Sequence, residues 1–170
     1  SRKIDAKFES INLNEEVRRT ERLLYRTIPK MIEIDLRLDE GLDRVRADST
    51  QIEQMLINLA VNAKDAMPEG GRLAIETRNV NLDDYYCKSH AEIVPGQYVL
   101  LKVSDTGHGM EEDVRQHIFE PFFTTKGLAD GTGLGLATVF GIVKMHGGHI
   151  TCVSEVGKGT AFAIYFPVAE

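Results

Sequence analysis

The chain has 170 residues, 42% of them apolar, which suits one domain with a sizeable core at roughly 100–200 residues per domain. Lys and Arg number 20 against 26 Asp and Glu, and the net charge of −6 excludes the footprint of a nucleic-acid or anionic-membrane binder, so a phosphate ligand would depend on local donors. Cys87 and Cys152, far apart and without zinc-spaced companions, exclude a disulfide scaffold and a structural metal and imply a reducing compartment; no apolar run nears the roughly 18 residues of a membrane helix.

Taken in chain order, residues 1–11 are polar, with Ile4, Phe8 and Ile11 as spaced anchors, and read as a linker or the end of an upstream helix. Leu13, Val17, Thr20, Leu23, Leu24 and Ile28 fall at helical spacing, with Asn12 or Asn14 at the cap and Pro29 as the stop. Residues 31–38 alternate apolar with charged as a half-buried strand does, and 44–47 read as a second, short one. Asp48 and Ser49 offer caps for a long helix over 50–67, which Pro68 and a Glu-Gly-Gly turn stop. Residues 72–79 and 97–104 read as strands around a polar insertion at 83–90, expected to be a surface hairpin or loop. An amphipathic stretch at 111–118 and a loop over 121–131 lead into a helix over 132–146, ended by Gly147 and Gly148. Strands at 149–154 and 160–166 flank a glycine-bearing turn. This alternation predicts one α/β two-layer sandwich around a mixed sheet.

Three features carry chemistry. On the 50–67 helix, Gln54, Asn58, Asn62 and Asp65 form a polar stripe apart from the apolar face, and it holds two asparagines where a solvated stripe favours Lys and Glu. An amide oxygen is a neutral hard ligand suited to Mg²⁺; the same asparagines could equally be exposed or cap a neighbour. The strand at 97–104 leads to Asp105-Thr106-Gly107-His108-Gly109, a carboxylate followed by two glycines, which suits an acceptor for an exocyclic amine or an ordinary Asp-x-Gly turn. Gly131-Thr132-Gly133-Leu134-Gly135 opens a helix, where unpaired amides can hold an anion without net positive charge. It matches neither a Walker A loop nor a dinucleotide fingerprint.

Asn58 and Asn62, Asp105-x-Gly107-x-Gly109, Phe119-x-x-Phe122-Phe123, Gly131-x-Gly133-x-Gly135 and Gly157-x-Gly159-Thr160 follow in this order. With these five boxes, over about residues 12–168, the chain resembles the catalytic ATP-binding domain of sensor histidine kinases. Their superfamily also includes gyrase, a heat-shock chaperone and MutL ATPases. The resemblance implies a Bergerat fold, a mixed, mostly antiparallel sheet with helices on one face, over 12–170, with 1–11 as linker or end of an upstream dimerisation helix. It implies ATP and Mg²⁺ as cofactors and transfer of the γ-phosphoryl group to a histidine on a separate helical dimerisation domain. Asn62 looks like the Mg²⁺ ligand, with Asn58 beside it. Asp105 looks like the adenine-reading acid, supported by Gly107, Gly109 and Thr160, and Phe119 and Phe122 like the aromatic box of a lid. Gly131, Thr132, Gly133, Leu134 and Gly135 look like the phosphate-cradling turn, and Lys126 is a phosphate-reaching cation or a solvated loop lysine. The implied partners are the phosphoacceptor domain of a homodimeric parent and a response-regulator receiver domain, in the cytoplasm, with no nucleic acid and no direct membrane contact.

Two departures stand out. Many relatives carry a basic residue three positions after Asn62, where this chain has Asp65, which favours Lys126 as the phosphate cation. None of His90, His108, His117, His146 and His149 has the Glu or Asp neighbour and helical hairpin of a phosphoacceptor, so each is expected to be a surface or structural histidine. Hydrolysis of the gyrase type would need a Glu one turn before the metal Asn, where Asn58 stands. A nucleotide-binding module without transfer activity is the remaining alternative, and the intact boxes argue against it.

Overall fold

The computed structural model describes residues 6–90, 93–124 and 135–170. In chain order its elements are β1 (Glu9–Ile11), α1 (Leu13–Thr27), β2 (Ile32–Leu38), β3 (Val45–Ala47), α2 (Ser49–Ala66) and β4 (Gly71–Leu82). Then come α3 (Asp84–Ser89), β5 (Gly96–Asp105), α4 (Glu112–Arg115), α5 (Gly135–Met145), β6 (His149–Glu155) and β7 (Gly159–Pro167).

Polar caps and prolines set the limits of the first two helices. The Asn12 side chain accepts from the Asn14 amide at 2.8 Å and starts α1, which ends ahead of Pro29. The Asp48 carboxylate accepts from the Thr50 and Gln51 amides and starts α2, which stops at Met67, ahead of Pro68.

The main sheet runs β2-β4-β5-β7-β6. β2 lies parallel to β4, and the other pairs are antiparallel, which gives the mixed, mostly antiparallel sheet expected. Along β7 the inward residues Phe162, Ile164 and Phe166 alternate with outward Ala161, Ala163 and Tyr165. The inward set joins Leu73, Ile75 and Leu101 in one core with Leu13 and Val17 of α1, Ile52, Met55 and Leu59 of α2, and Val139 and Val143 of α5. Each such buried side chain is worth roughly 1.5–3 kcal/mol against exposure. This packing lays α1, α2 and α5 over one face of the sheet and leaves the carboxyl end of β5 beside the end of α2.

Two local expectations change. Glu9–Ile11, read as linker or helix end, is a strand paired with β3 in a separate two-stranded sheet. Arg44 fixes it by donating to the Ser10 hydroxyl and carbonyl. Residues 84–89, read as hairpin or loop, are the short helix α3, capped by Asp83 accepting from the Tyr86 amide. Tyr86 stacks on His90 at 4.1 Å and leans on Tyr165 of the sheet's outer face, and burial with the Tyr165 hydrogen bond pushes its phenol up to about 12.

The strap of chain before β1 reaches two helix ends together. The Lys7 amide donates to Asp48, and Phe8 lies edge-on to His146 at 5.0 Å. His146, 8% exposed, follows α5; its Nε2 accepts from the Asp48 amide at 3.1 Å while its Nδ1 lies 2.7 Å from the Ile142 carbonyl, so the Nδ1–H tautomer satisfies both. His146 is thus the structural histidine expected.

Candidate active site

β5 ends on Asp105, a carboxylate only 8% exposed. Its Oδ1 accepts from the Gly107 amide at 2.8 Å. Burial pushes the carboxyl above its ordinary 3.8, against the pull of the Gly107 and Thr160 backbone hydrogen bonds and of nearby His108. Among the described residues no Lys or Arg pairs with it. An ionised carboxylate has about four acceptor positions, so Asp105 keeps capacity for another donor such as an exocyclic amine.

The glycines after Asp105 are required first by the protein itself. A Cβ on Gly107 would lie 2.4 Å from the Ala66 carbonyl oxygen, and one on Gly109, at φ +71°, would lie 2.1 Å from that of Glu155. The turn is therefore wedged between the last residue of α2 and the β6–β7 hairpin. Backbone bonds fasten it on both sides: the His108 amide to Ala66 at 2.9 Å, and the Gly157 amide to His108 at 2.8 Å. Since Asn62 and Ala66 stand four residues apart on one helix face, this wedge sets the Asp105 turn one turn of α2 beyond Asn62.

The two asparagines part company. Asn58 is engaged on both sides, its Oδ1 accepting from Gln54 at 2.7 Å and its Nδ2 donating to the Gly135 carbonyl at 3.2 Å. It ties α2 to the first residue of α5. Asn62 is half-buried and, among the described residues, has no hydrogen-bond partner. Its oxygen is the one of the pair free to ligate a cation. No group of three His, Cys, Asp or Glu among the described residues could hold a metal ion. Among the described residues nothing lies within 4 Å of where a Cβ on Gly135 would stand. Lys126, Gly131, Thr132, Gly133 and Leu134 lie outside the described residues. Asp65 forms an ion pair with Lys64 at 3.6 Å.

The aromatic box is split as well. Phe119 packs against Phe140 at 5.3 Å and Phe162 at 6.2 Å, at the margin of the core. Phe122 stands 74% exposed at φ 67°, a conformation strained for a bulky residue. Phe123 rests on His117.

Thr160, 6% exposed, sits directly across from Asp105 in the β5–β7 register and across from Ser154 in the β6–β7 register. Ser154 escapes sequence reasoning, because a lone serine in a strand carries no motif; only the register sets its hydroxyl 2.8 Å from that of Thr160.

The model of the histidine kinase-, DNA gyrase B- and HSP90-like ATPases matches residues 47–170. The sensor kinase CckA of Brucella abortus is 46% identical over 169 residues, 98% of this chain but 18% of its own length. The nucleotide-free catalytic domain of the histidine kinase ThkA superposes with a TM-score of 0.76 at 34% identity, covering 95% of this chain and 96% of that one. ThkA in complex with the response regulator TrrA gives 0.70 at 31%, with 95% and 42% covered. Full-length ShkA in complex with AMPPNP gives 0.76 at 28% identity, with 98% and 32% covered. The chain spans less than a third of the curated relatives it matches, 31% of the sensor histidine kinase ZraS of Salmonella typhimurium being a further case. Together with the sheet order and the Asp105 turn, these matches assign the chain to the histidine kinase-, DNA gyrase B- and HSP90-like ATPase family, as a catalytic ATP-binding domain of the sensor histidine kinase type.

Proposed function

We propose that the domain binds Mg-ATP and donates the γ-phosphoryl group to a histidine on a separate helical dimerisation domain of a homodimeric parent, from which a response-regulator receiver domain takes it. The observation that carries this reading is the buried Asp105 carboxylate, paired with no Lys or Arg among the described residues, one turn of α2 from the Asn62 carboxamide, which has no hydrogen-bond partner among the described residues. The AMPPNP held by ShkA and the regulator held by ThkA support it by similarity.

In this reading Asp105 accepts from the 6-amino group of adenine while Thr160 meets the ring beside it. Asn62 holds Mg²⁺, which when bound neutralises charge on the phosphate oxygens. The amides of residues 131–135, in the sequence that leads into α5, take the phosphate oxygens, and Lys126 supplies a cation; Phe122 belongs to the covering lid. The incoming imidazole is itself the nucleophile, so positioning and charge neutralisation carry the chemistry. Asn58, held by Gln54 and Gly135, offers no base for activating water, which favours transfer over hydrolysis. The domain, with β1 and residues 7–8 packed on it, acts as the catalytic unit in the cytoplasm, and the chain before it as the connection to the dimerisation helices.

The test mixes this chain, Mg-ATP and the parent's helical domain. Acid-labile phosphate on the partner is expected; phosphate on Ser or Thr, or rapid phosphate release without a partner, overturns the assignment.

A further inference from the structure

Asp105, Thr160 and Ser154 form a row across three adjacent strands, because Asp105 pairs with Thr160 and Thr160 with Ser154 in the two antiparallel registers. All three belong to the face on which Val103, Phe162 and Cys152 pack, and the row ends at the loop that leaves β5. Ser154 Oγ makes three contacts there. It accepts from the Met110 amide at 2.8 Å, lies 2.8 Å from Thr160 Oγ1, and can donate to the Gly159 carbonyl at 3.2 Å.

A hydroxyl has one proton. If Ser154 gives it to Gly159, Thr160 must donate to Ser154 and shows only lone pairs to a ligand. If Ser154 gives it to Thr160, the shorter contact, the Thr160 proton is free to point at the ligand. A purine with a bare ring nitrogen beside an exocyclic amine needs one donor and one acceptor side by side; Asp105, which has no proton when ionised, can only accept. Thr160, opposite Asp105 in the register, is the side chain placed to be that donor, directly or through a water.

We infer that Ser154 is a positioning residue for nucleobase selection: by donating to Thr160 it turns the Thr160 hydroxyl into the donor that, beside the Asp105 acceptor, selects adenine over a 6-oxopurine. The inference rests on the nucleotide reading above and deepens it. A 6-oxopurine presents the reverse pattern, an N–H at the ring and a carbonyl outside it. That carbonyl meets the Asp105 carboxylate, and the N–H meets the Thr160 proton. The Met110 amide occupies a Ser154 lone pair and so keeps the serine from accepting from Thr160 as well as it otherwise would.

The experiment titrates ADP and inosine diphosphate into the wild-type chain and into Ser154→Ala and Ser154→Thr, by calorimetry, with thermal unfolding alongside. Losing one neutral hydrogen bond should weaken ADP by roughly fivefold. A freed Thr160 rotor accepts from the inosine N–H, so inosine diphosphate loses less, and the preference for ADP narrows in Ser154→Ala. Ser154→Thr, which keeps a hydroxyl, restores it. A general loosening of the strands weakens both nucleotides alike, and an unchanged ADP preference in Ser154→Ala overturns the inference. If the alanine variant does not fold, Ser154→Cys, similar in size but a weak donor, gives the same comparison. Absence of ADP uptake by folded wild type overturns the nucleotide reading, and this inference with it.

Discussion

Gly109→Ala tests the wedge that holds the Asp105 turn. At φ +71° an alanine is in the left-handed region, at a cost of roughly 1–2 kcal/mol. Its Cβ would also stand 2.1 Å from the Glu155 oxygen, where real contacts hardly go under 3.0 Å. The hairpin must retreat by about 1 Å, which weakens the Gly157-to-His108 bond of 2.8 Å and the Met110-to-Ser154 bond of 2.8 Å. At roughly 0.5–1.5 kcal/mol each, those losses bring the total to about 2–5 kcal/mol. For a domain of this size that is a fall in Tm on the order of 5–20 °C. Gly157→Ala is the control: φ is +83°, yet the space beside it is open, so it carries the dihedral cost alone. Urea unfolding of both variants and ADP titration of each separate contact from conformation. Equal destabilisation of the two, or unaltered ADP affinity in Gly109→Ala, would refute the claim that the turn is held by backbone approach.

The other expectations concern single side chains. Asp105→Asn should weaken ADP about tenfold or more, since a hydrogen bond to a charged acceptor is worth roughly 1.5–3 kcal/mol. The raised Asp105 pKa means that its stabilising contribution is complete below 3.8 and lost as pH rises through the higher folded-state value. Asp105→Asn therefore stabilises the unliganded domain at pH 7, and the gain fades in acid; denaturant midpoints across pH check this, and a destabilised variant at neutral pH contradicts it. Asn62→Ala keeps its Tm but loses the Mg²⁺-dependent gain in ADP affinity, whereas Asn58→Ala loses about 1 kcal/mol of stability with the tie to Gly135; titrations with and without chelator distinguish them. Phe119→Ala costs about 2–3 kcal/mol for a half-buried ring, and Phe122→Ala stays within about 0.5 kcal/mol while weakening nucleotide; melting curves that rank them the other way reject the split of the aromatic box.

Local signals made the larger elements legible. Asn12, Asp48, Pro29 and Pro68 mark α1 and α2 because caps and prolines act within a turn of the residues they govern. Short elements stabilised from afar were not. β1 exists through β3, some 35 residues away, and α3 through Tyr86 leaning on Tyr165 of the last strand. The site divides in the same manner. Asp105 and Asn62 could be picked out as residue types in suggestive settings, yet the exclusion of side chains at Gly107 and Gly109 comes from protein backbone that no spacing rule reveals. Asn58, a neighbour of Asn62 on one stripe, differs from it because Gln54 and the Gly135 carbonyl both lie within its reach. Ser154 became visible only when two strand registers had been laid side by side.

α5 is pinned to α2 twice, through His146 to the Asp48 amide at one end and through the Asn58 carboxamide to Gly135 at the other. The pins are ten residues apart along α2 and eleven apart along the returning segment, a distance of about 15 Å at 1.5 Å per residue. Sliding α5 lengthwise would break both at once, so its first residue keeps a fixed level on α2, about 6 Å short of Asn62. The start of α5 is in this way indexed to the helix beside it, a gauge that does not itself shift.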